Sequence, residues 1–441
     1  MWQRLQPMSS SSVLDNPHGE CERPSLQPPR SLRLNFSWTL VGNVVYAGTQ
    51  WGILVLLARL GNPEAVGQFS LGLAIAAPIM LFAGLQLRAV QATDARSQFL
   101  FRDYAGLRIL MTVVAVCVIC GIGGVLYRGG TALAIAAFAL SKGIESLSDV
   151  IYGLWQQQER MDLIAKSLML RGVLALATAA VCFAAFHTVW IAVCGMAMAW
   201  AGVFVAFDVR RGIAVAREMG QTLKPQFSAP RMKQLVRLSL PLGVVTMMIS
   251  FNANVPRYMI SHFRSLRELG IFSALGYILM AGTMIVGALG QSATPRLAIY
   301  ASQGKTREFR RLSCRLLLIG TTLGICGVLV AMAFGRQILT LIYGREYAQN
   351  GQLFRWLMVA AAVGYMASFA GYSLTAARHF QVQVPLFGFI TAVTLVLCYV
   401  MVKAGGATGA AQALTSVAFI QLAAIMVILW RSEMRRPADI S

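Results

Sequence analysis

What this chain has least of is charge. Only 12% of its 441 residues are Asp, Glu, Lys or Arg, against about 25% in a soluble domain. So few charges cannot cover the surface of a water-soluble globule of this length. Acid is scarcer still, with 17 Asp and Glu against 38 Lys and Arg. There is no Gly-x-x-x-x-Gly-Lys-Ser/Thr phosphate loop, so no built-in ATPase is expected. Metal-ligand clusters, a nucleophile elbow and paired catalytic carboxylates in a polar segment are also missing. No catalytic residue, metal or cofactor is therefore expected, and the chain does not read as an enzyme. The short alternating segments of a β-barrel are absent too. Of the eight cysteines, Cys117 and Cys120 have redox spacing, but they sit in an apolar run without a nearby His and read as small packing residues.

What is present is hydrophobic residue, 57% of the chain, with mean hydropathy +0.64. Charge-poor runs recur from residue 36 onward. Lipid offers the backbone no hydrogen-bond partners, so such runs must close their bonds internally as helices. The expected fold is an all-α polytopic membrane protein with about 12 transmembrane helices. Their approximate bounds are 36–60, 65–87, 106–127, 131–155, 163–186, 189–207, 238–259, 269–295, 316–334, 356–377, 385–402 and 406–430. The fifth of these draws Arg171 into the membrane.

The net charge of +21 does not point to nucleic acid, because the excess gathers in particular links between spans. With both termini cytoplasmic, about 27 Lys and Arg fall on the inner side and about nine on the outer side. The basic link 210–237 divides the spans six and six. The expected organisation is a disordered cytoplasmic tail (1–35), an N-terminal lobe (36–209), the linker (210–237), a C-terminal lobe (238–430) and a short cytoplasmic tail (431–441). An even number of spans per lobe gives both lobes one topology, so they would be parallel repeats about an axis along the membrane normal. Echoes between the halves agree: Gly67-Gln-Phe-Ser with Gly270-Ile-Phe-Ser, and Tyr152-Gly-Leu…Arg160 with Tyr372-Ser-Leu…Arg378.

The matching pieces Leu57-Ala-Arg59-Leu-Gly61, Gly67-Gln-Phe-Ser, Leu269-Gly270-Ile-Phe-Ser, Pro295-Arg296-Leu, Ile342-Tyr-Gly344…Tyr347, Ala376-Ala-Arg378 and Gly406-Ala-Thr-Gly409-Ala-Ala cover most of the chain. Together with the twelve spans, they make it resemble the polysaccharide transporter branch of the multidrug/oligosaccharidyl-lipid/polysaccharide (MOP, MATE-like) exporter superfamily, the Wzx-type O-antigen and exopolysaccharide flippases. That resemblance implies a flippase of the bacterial inner membrane. It would move an undecaprenyl-diphosphate-linked oligosaccharide outward by alternating access between two lobes, with an ion gradient for direction. The partners it implies are the polyprenyl-diphosphate-linked oligosaccharide and the lipid bilayer, with a polysaccharide polymerase and a chain-length regulator as protein partners. One departure stands out. Many members of the branch carry an acid near the outer part of the seventh helix, where this chain has Asn254 and Arg257.

The candidate site residues follow from charge inside helices. Lys142, Glu145 and Asp149 share one face of the fourth span. They read as a cavity stripe, with Glu145 and Asp149 as ion-coupling candidates, or as a salt bridge between packed helices. Arg59, Arg171 and Arg257 are cations on acid-poor helices and could fork onto phosphate oxygens. Arg59 and Arg257 read equally well as residues snorkelling to headgroups. Arg171, being deeper, calls for a partner in Glu145, Asp149 or substrate. Asn252 and Asn254 would bind sugar hydroxyls or join helices. His262, Arg264 and Arg267 read as a headgroup-facing cluster. Two other functions fit the sequence less well: a MATE-type exporter of cationic drugs, which should carry cavity carboxylates, and a membrane polymerase or ligase, which needs a longer outer loop than 335–355 offers.

Overall fold

The computed structural model describes residues 32–94, 98–377 and 380–434. The two expected tails fall largely outside these residues, as does Arg378 of the second echo. Among the described residues twelve long helical segments form the bundle, counting the bent pair as one and dividing the last helix at Gly406, and we number them α1 (Leu32–Leu60), α2 (Pro63–Gly84), α3 (Phe101–Leu126), α4 (Gly129–Gln157), α5 (Met161–Phe186) and α6 (Val189–Glu218, with a π-helical turn at Phe204–Val209). The second set is α7 (Ala229–Phe263), α8 (Leu266–Ile278, continuing as Met280–Ser302 after a 41° bend), α9 (Thr306–Ile342), α10 (Gly351–Ala376), α11 (380–405) and α12 (407–434). α1 begins and α12 ends on one side of the bundle, here the terminal face; the opposite side is the far face.

Several spans are longer than expected. Helix takes in 210–218 and 229–237, so the linker narrows to ten residues, and α9 starts about ten residues early. α2 breaks at Leu85 and Gln86, both left-handed with φ of 48° and 52°, before a short helix Leu87–Thr93. α11 and α12 meet with no extended link. Gly406 alone turns the chain, at φ 58° and ψ −139°, a conformation open essentially to glycine.

The echo in the sequence marks where the lobes cross. α2 starts with Asn62 as its cap, accepting from the Ala65 amide at 2.9 Å, with Pro63 and Glu64 in its first turn. α8 starts the same way, with Ser265 accepting from the Glu268 amide at 3.3 Å. Five residues past each cap stand Gly67 and Gly270, and here the two helices touch backbone to backbone. A methyl group on Gly67 would strike the Leu266 carbonyl, and one on Gly270 would strike the Pro63 carbonyl and the Gly67 amide. Two equivalent helices crossing at equivalent residues is what a parallel repeat about a central axis produces. The same register sets Arg59 opposite His262.

Core packing shows which half of the molecule is closed. In the far half one hydrophobic core runs through both lobes, joining Leu54, Leu57 and Phe69 to Val255, Leu275, Tyr343 and Leu357. In the terminal half the cores separate. One gathers α2–α6 with the first turns of α7, around Trp155, Leu163 and Leu235. Two others lie wholly within α8–α12, around Phe369 and Ile390. The cleft between the lobes is therefore sealed at the far face and parted toward the terminal face. Its sides are unequal. α2 and α7 pack together, with Gly243 against Leu85 and Phe82 and the Tyr258 hydroxyl donating to the Ala74 carbonyl. α1, by contrast, packs on the Leu266–Ile278 half of α8, while the other half turns to α9 and α10.

Candidate functional site

A cavity of about 670 Å³ opens in the N-terminal lobe beside this cleft. Its walls come from α2 (Ala77, Met80, Leu81, Gly84), the broken segment after it (Gln86, Arg88, Ala89), α3 (Arg108) and α4 (Lys142, Glu145, Ser146, Asp149, Gln156). α4 runs from the far to the terminal face. Its period of 3.6 residues sets Lys142, Glu145, Ser146 and Asp149 along one stripe, spanning about 10 Å at 1.5 Å per residue. The structure brings the three predicted α4 residues together on this wall.

Two ion-pair groups line it. Lys142 Nζ lies 2.6 Å from Glu145 Oε2, and Glu145 Oε1 accepts from the Tyr46 hydroxyl of α1 at 3.1 Å. Asp149 bridges two arginines. Arg108 Nη2 stands 3.0 Å from Asp149 Oδ2, and Arg88 Nη1 stands 3.4 Å from Oδ1. The Arg108 side chain is only 3% exposed; it packs where Gly84 leaves room and also points Nη1 at Ser146, 3.4 Å away. Arg88 is brought back to the cavity by the left-handed break at Leu85–Gln86, and its Nε donates to Gln156 at 2.9 Å. With Arg88, Arg108 and Lys142 against Glu145 and Asp149, the wall carries one net positive charge.

The other predicted residues lie elsewhere. Arg171 is 1% exposed and does not line the cavity. Its guanidinium stacks 4.8 Å over the Trp200 ring, which also receives Lys142 Nζ at 5.4 Å, and its Nη1 donates to the Tyr152 hydroxyl at 3.1 Å. Among the described residues no carboxylate stands within 4.0 Å of it; of the partners expected in Glu145, Asp149 or substrate, Glu145 acts on it through space, while its direct contacts are an aromatic face and a hydroxyl. Behind it, Ser167 links Tyr152 to Asp208 at 2.6 Å on either side, and Asp208 sits on the π-helical turn of α6.

Arg59 is at the far face, where it spans the lobes. Its guanidinium donates to the carbonyls of Thr340, Leu341 and Ile342, the last turn of α9, where a cation opposes the helix dipole. Arg257 is half-buried on α7 and donates to Asn254 Oδ1 at 2.6 Å, while Asn254 in turn donates to the Ser250 carbonyl. Neither they nor Asn252 reach the cavity wall. The cluster at His262–Arg267 is not simply headgroup-facing. Arg264 donates to the carbonyls of Val402, Lys403 and Ala404, Glu268 accepts from the Ala407 amide, and Arg267 pairs with Glu346. This link thus clamps the α11–α12 turn.

Sequence reasoning missed Arg88, Arg108 and Tyr46 as wall or partner residues. No local signal pointed to the arginines, which lie 41 and 61 residues from Asp149 along the chain.

A family model described as "Polysaccharide biosynthesis protein" matches residues 32–301, more than half of the chain. The capsular polysaccharide biosynthesis protein CapF of Staphylococcus aureus is 24% identical over 388 residues, which are 88% of this chain and 96% of that protein. Among solved structures, the chain is similar to an inward-facing multidrug resistance MATE family transporter of the MOP superfamily. The TM-score is 0.73 at 12% identity, covering 90% of this chain and 99% of that one. It is also similar to the lipid II flippase MurJ in an inward closed conformation, with a TM-score of 0.69 at 10% identity, covering 90% of this chain and 87% of that one.

Proposed function

The chain belongs to the polysaccharide biosynthesis protein family, and from that premise we propose that it is a flippase for an oligosaccharide linked to a polyprenyl diphosphate. The observation that carries this reading is the cationic wall of Arg88, Arg108 and Lys142 inside a cleft open toward the terminal face. By the positive-inside rule that face is cytoplasmic, since the links at 210–237 and 296–315 are the basic ones. The cargo's diphosphate enters from this side and meets the Arg88 and Arg108 guanidinium groups first, with the Lys142 ammonium deeper along α4. α1 leaves Phe36, Leu40, Val41 and Val44 exposed, and the terminal half of α8 leaves Met280, Met284, Ile285 and Leu289. In this reading these apolar side chains border the opening through which the polyprenyl tail stays in lipid while the head group occupies the cleft. Rocking of the two lobes, which parts the α2–α8 crossing and closes the terminal half, then exposes the head group to the other leaflet. No covalent bond is made or broken.

Two carboxylates in the cavity are what an exporter of cationic drugs would need. Here both are engaged by the three cations, so a cationic cargo meets a wall already positive, and we favour the anionic one. Depletion of the protein tests the choice, with lipid-linked glycans and surface polysaccharide read together. Loss of surface polymer with full repeat units accumulating on polyprenyl diphosphate at the cytoplasmic leaflet supports the flippase. Unchanged glycans with new sensitivity to cationic drugs would reverse the assignment.

A further inference from the structure

The two contacts of Asp149 are unlike. The one to Arg108 is short, at 3.0 Å, and its cation is buried; the one to Arg88 is 3.4 Å, and its cation is one-third exposed to the cavity. Charge-assisted N–H···O bonds settle at about 2.7–2.9 Å, so the Arg88 contact is stretched. Arg88 has other supports that do not depend on the carboxylate, namely Gln156 at 2.9 Å and the Tyr152 ring 5.5 Å beneath its guanidinium. The remaining charged groups on this wall, Lys142 and Glu145, are paired with each other. Two non-bridging oxygens of a phosphate diester present the same fork as a carboxylate and would satisfy Arg88 at normal length.

We infer that Asp149 is a built-in competitor for the anionic cargo: it holds Arg88 while the cavity is empty and yields it to the cargo's phosphate, staying on Arg108. This rests on the reading of the cavity as a diphosphate site and adds to it a reason for a carboxylate there. An empty carrier must close around its cavity to return, and uncompensated cations in a low-dielectric wall oppose that closure. Asp149 and Glu145 leave the empty wall with a single net charge. A carboxylate that merely positioned the arginines would have the opposite effect on binding, because its removal would weaken the site.

The test uses the full chain in lipid nanodiscs, titrated with undecaprenyl diphosphate and, separately, with inorganic pyrophosphate. Asp149→Asn keeps a hydrogen-bond acceptor for Arg108 but removes the competing charge. It is expected to bind undecaprenyl diphosphate about fivefold more tightly, the worth of a partly exposed ion pair. Arg88→Gln is expected to weaken binding, and in that background Asp149→Asn should no longer tighten it. Weaker binding by Asp149→Asn, tightening that persists without Arg88, or an Arg88→Gln chain with native affinity would each overturn the inference while leaving the flippase reading in place. The Arg88→Gln measurement decides even if Asp149→Asn does not fold. Inorganic pyrophosphate binding as tightly as the lipid would assign the site to a free anion and overturn both readings, as would a native chain that binds neither.

Discussion

Gly270→Ala tests the α2–α8 crossing most directly. The added methyl group would fall on the Pro63 carbonyl oxygen and the Gly67 amide nitrogen. Both are backbone atoms in the first turns of α2, so no rotamer change can relieve the clash and the helices must separate. Overpacking of this kind costs about 1–3 kcal/mol. The crossing lies in the far half, which is closed in this conformation, so the cost falls here and not on a conformation in which the lobes part at that end. The balance should therefore shift roughly 5- to 150-fold toward far-face opening. Spin labels on Glu64→Cys and Gln349→Cys, one on each lobe near the far face, report the change in a background with the native cysteines replaced. Double electron–electron resonance in nanodiscs should show the distance distribution of Gly270→Ala moving to longer values. Gly276→Ala is the control: it is on the same helix, with nothing within 4 Å of its added methyl. If both variants give the native distribution, the glycine contact does not set the lobe spacing, and the account of the closed far half fails with it.

Three further outcomes are expected. Arg59→Gln removes the cation from the last turn of α9 and should cost about 1 kcal/mol, seen with the same labels as a smaller shift in the same direction. Arg108→Leu leaves the partly wetted Asp149 carboxylate only its longer contact to Arg88 and should lower stability by about 1 kcal/mol once that wetting is discounted. Thermal unfolding in nanodiscs should show Asp149→Asn recovering most of this loss in the double variant. Gly406→Ala forces a side chain into φ 58°, ψ −139° against the Glu268 carboxylate and should cost about 1–3 kcal/mol. Because backbone strain is the cause, Glu268→Ala should not restore the folded fraction measured by size-exclusion chromatography.

The twelve spans and the six-and-six division were readable because lipid imposes long charge-free runs, and the links between them carry the basic residues. The repeat was readable through Gly67-Gln-Phe-Ser and Gly270-Ile-Phe-Ser, whose glycines are kept small by a backbone contact. The α4 stripe was readable from helical spacing alone. Arg88 and Arg108 were not. The break at Leu85–Gln86 has no Gly or Pro at the turning residues to announce it, so Arg88 looked like part of a loop, and Arg108 looked like the first residues of a span meeting water. The role of Arg59 was hidden for another reason. Its partners are carbonyl groups about 280 residues away, and backbone acceptors leave no mark in a sequence. Arg171 misled because a buried cation suggests an acid, whereas Trp200 and Tyr152 meet it with a π-face and a hydroxyl.

The core that runs through both lobes in the far half has a consequence for how the protein is made. Leu54, Leu57 and Phe69 complete their packing only against Val255, Leu275 and Tyr343, which leave the ribosome much later. At about 5–20 residues per second, the roughly 200 residues from α7 onward take about 10–40 s to synthesise. Through that interval the first lobe sits in the bilayer with its terminal-half core lacking only the first turns of α7 and its far-half face bare. In water such a face would invite aggregation; in the membrane, acyl chains cover it until α8 arrives and displaces them.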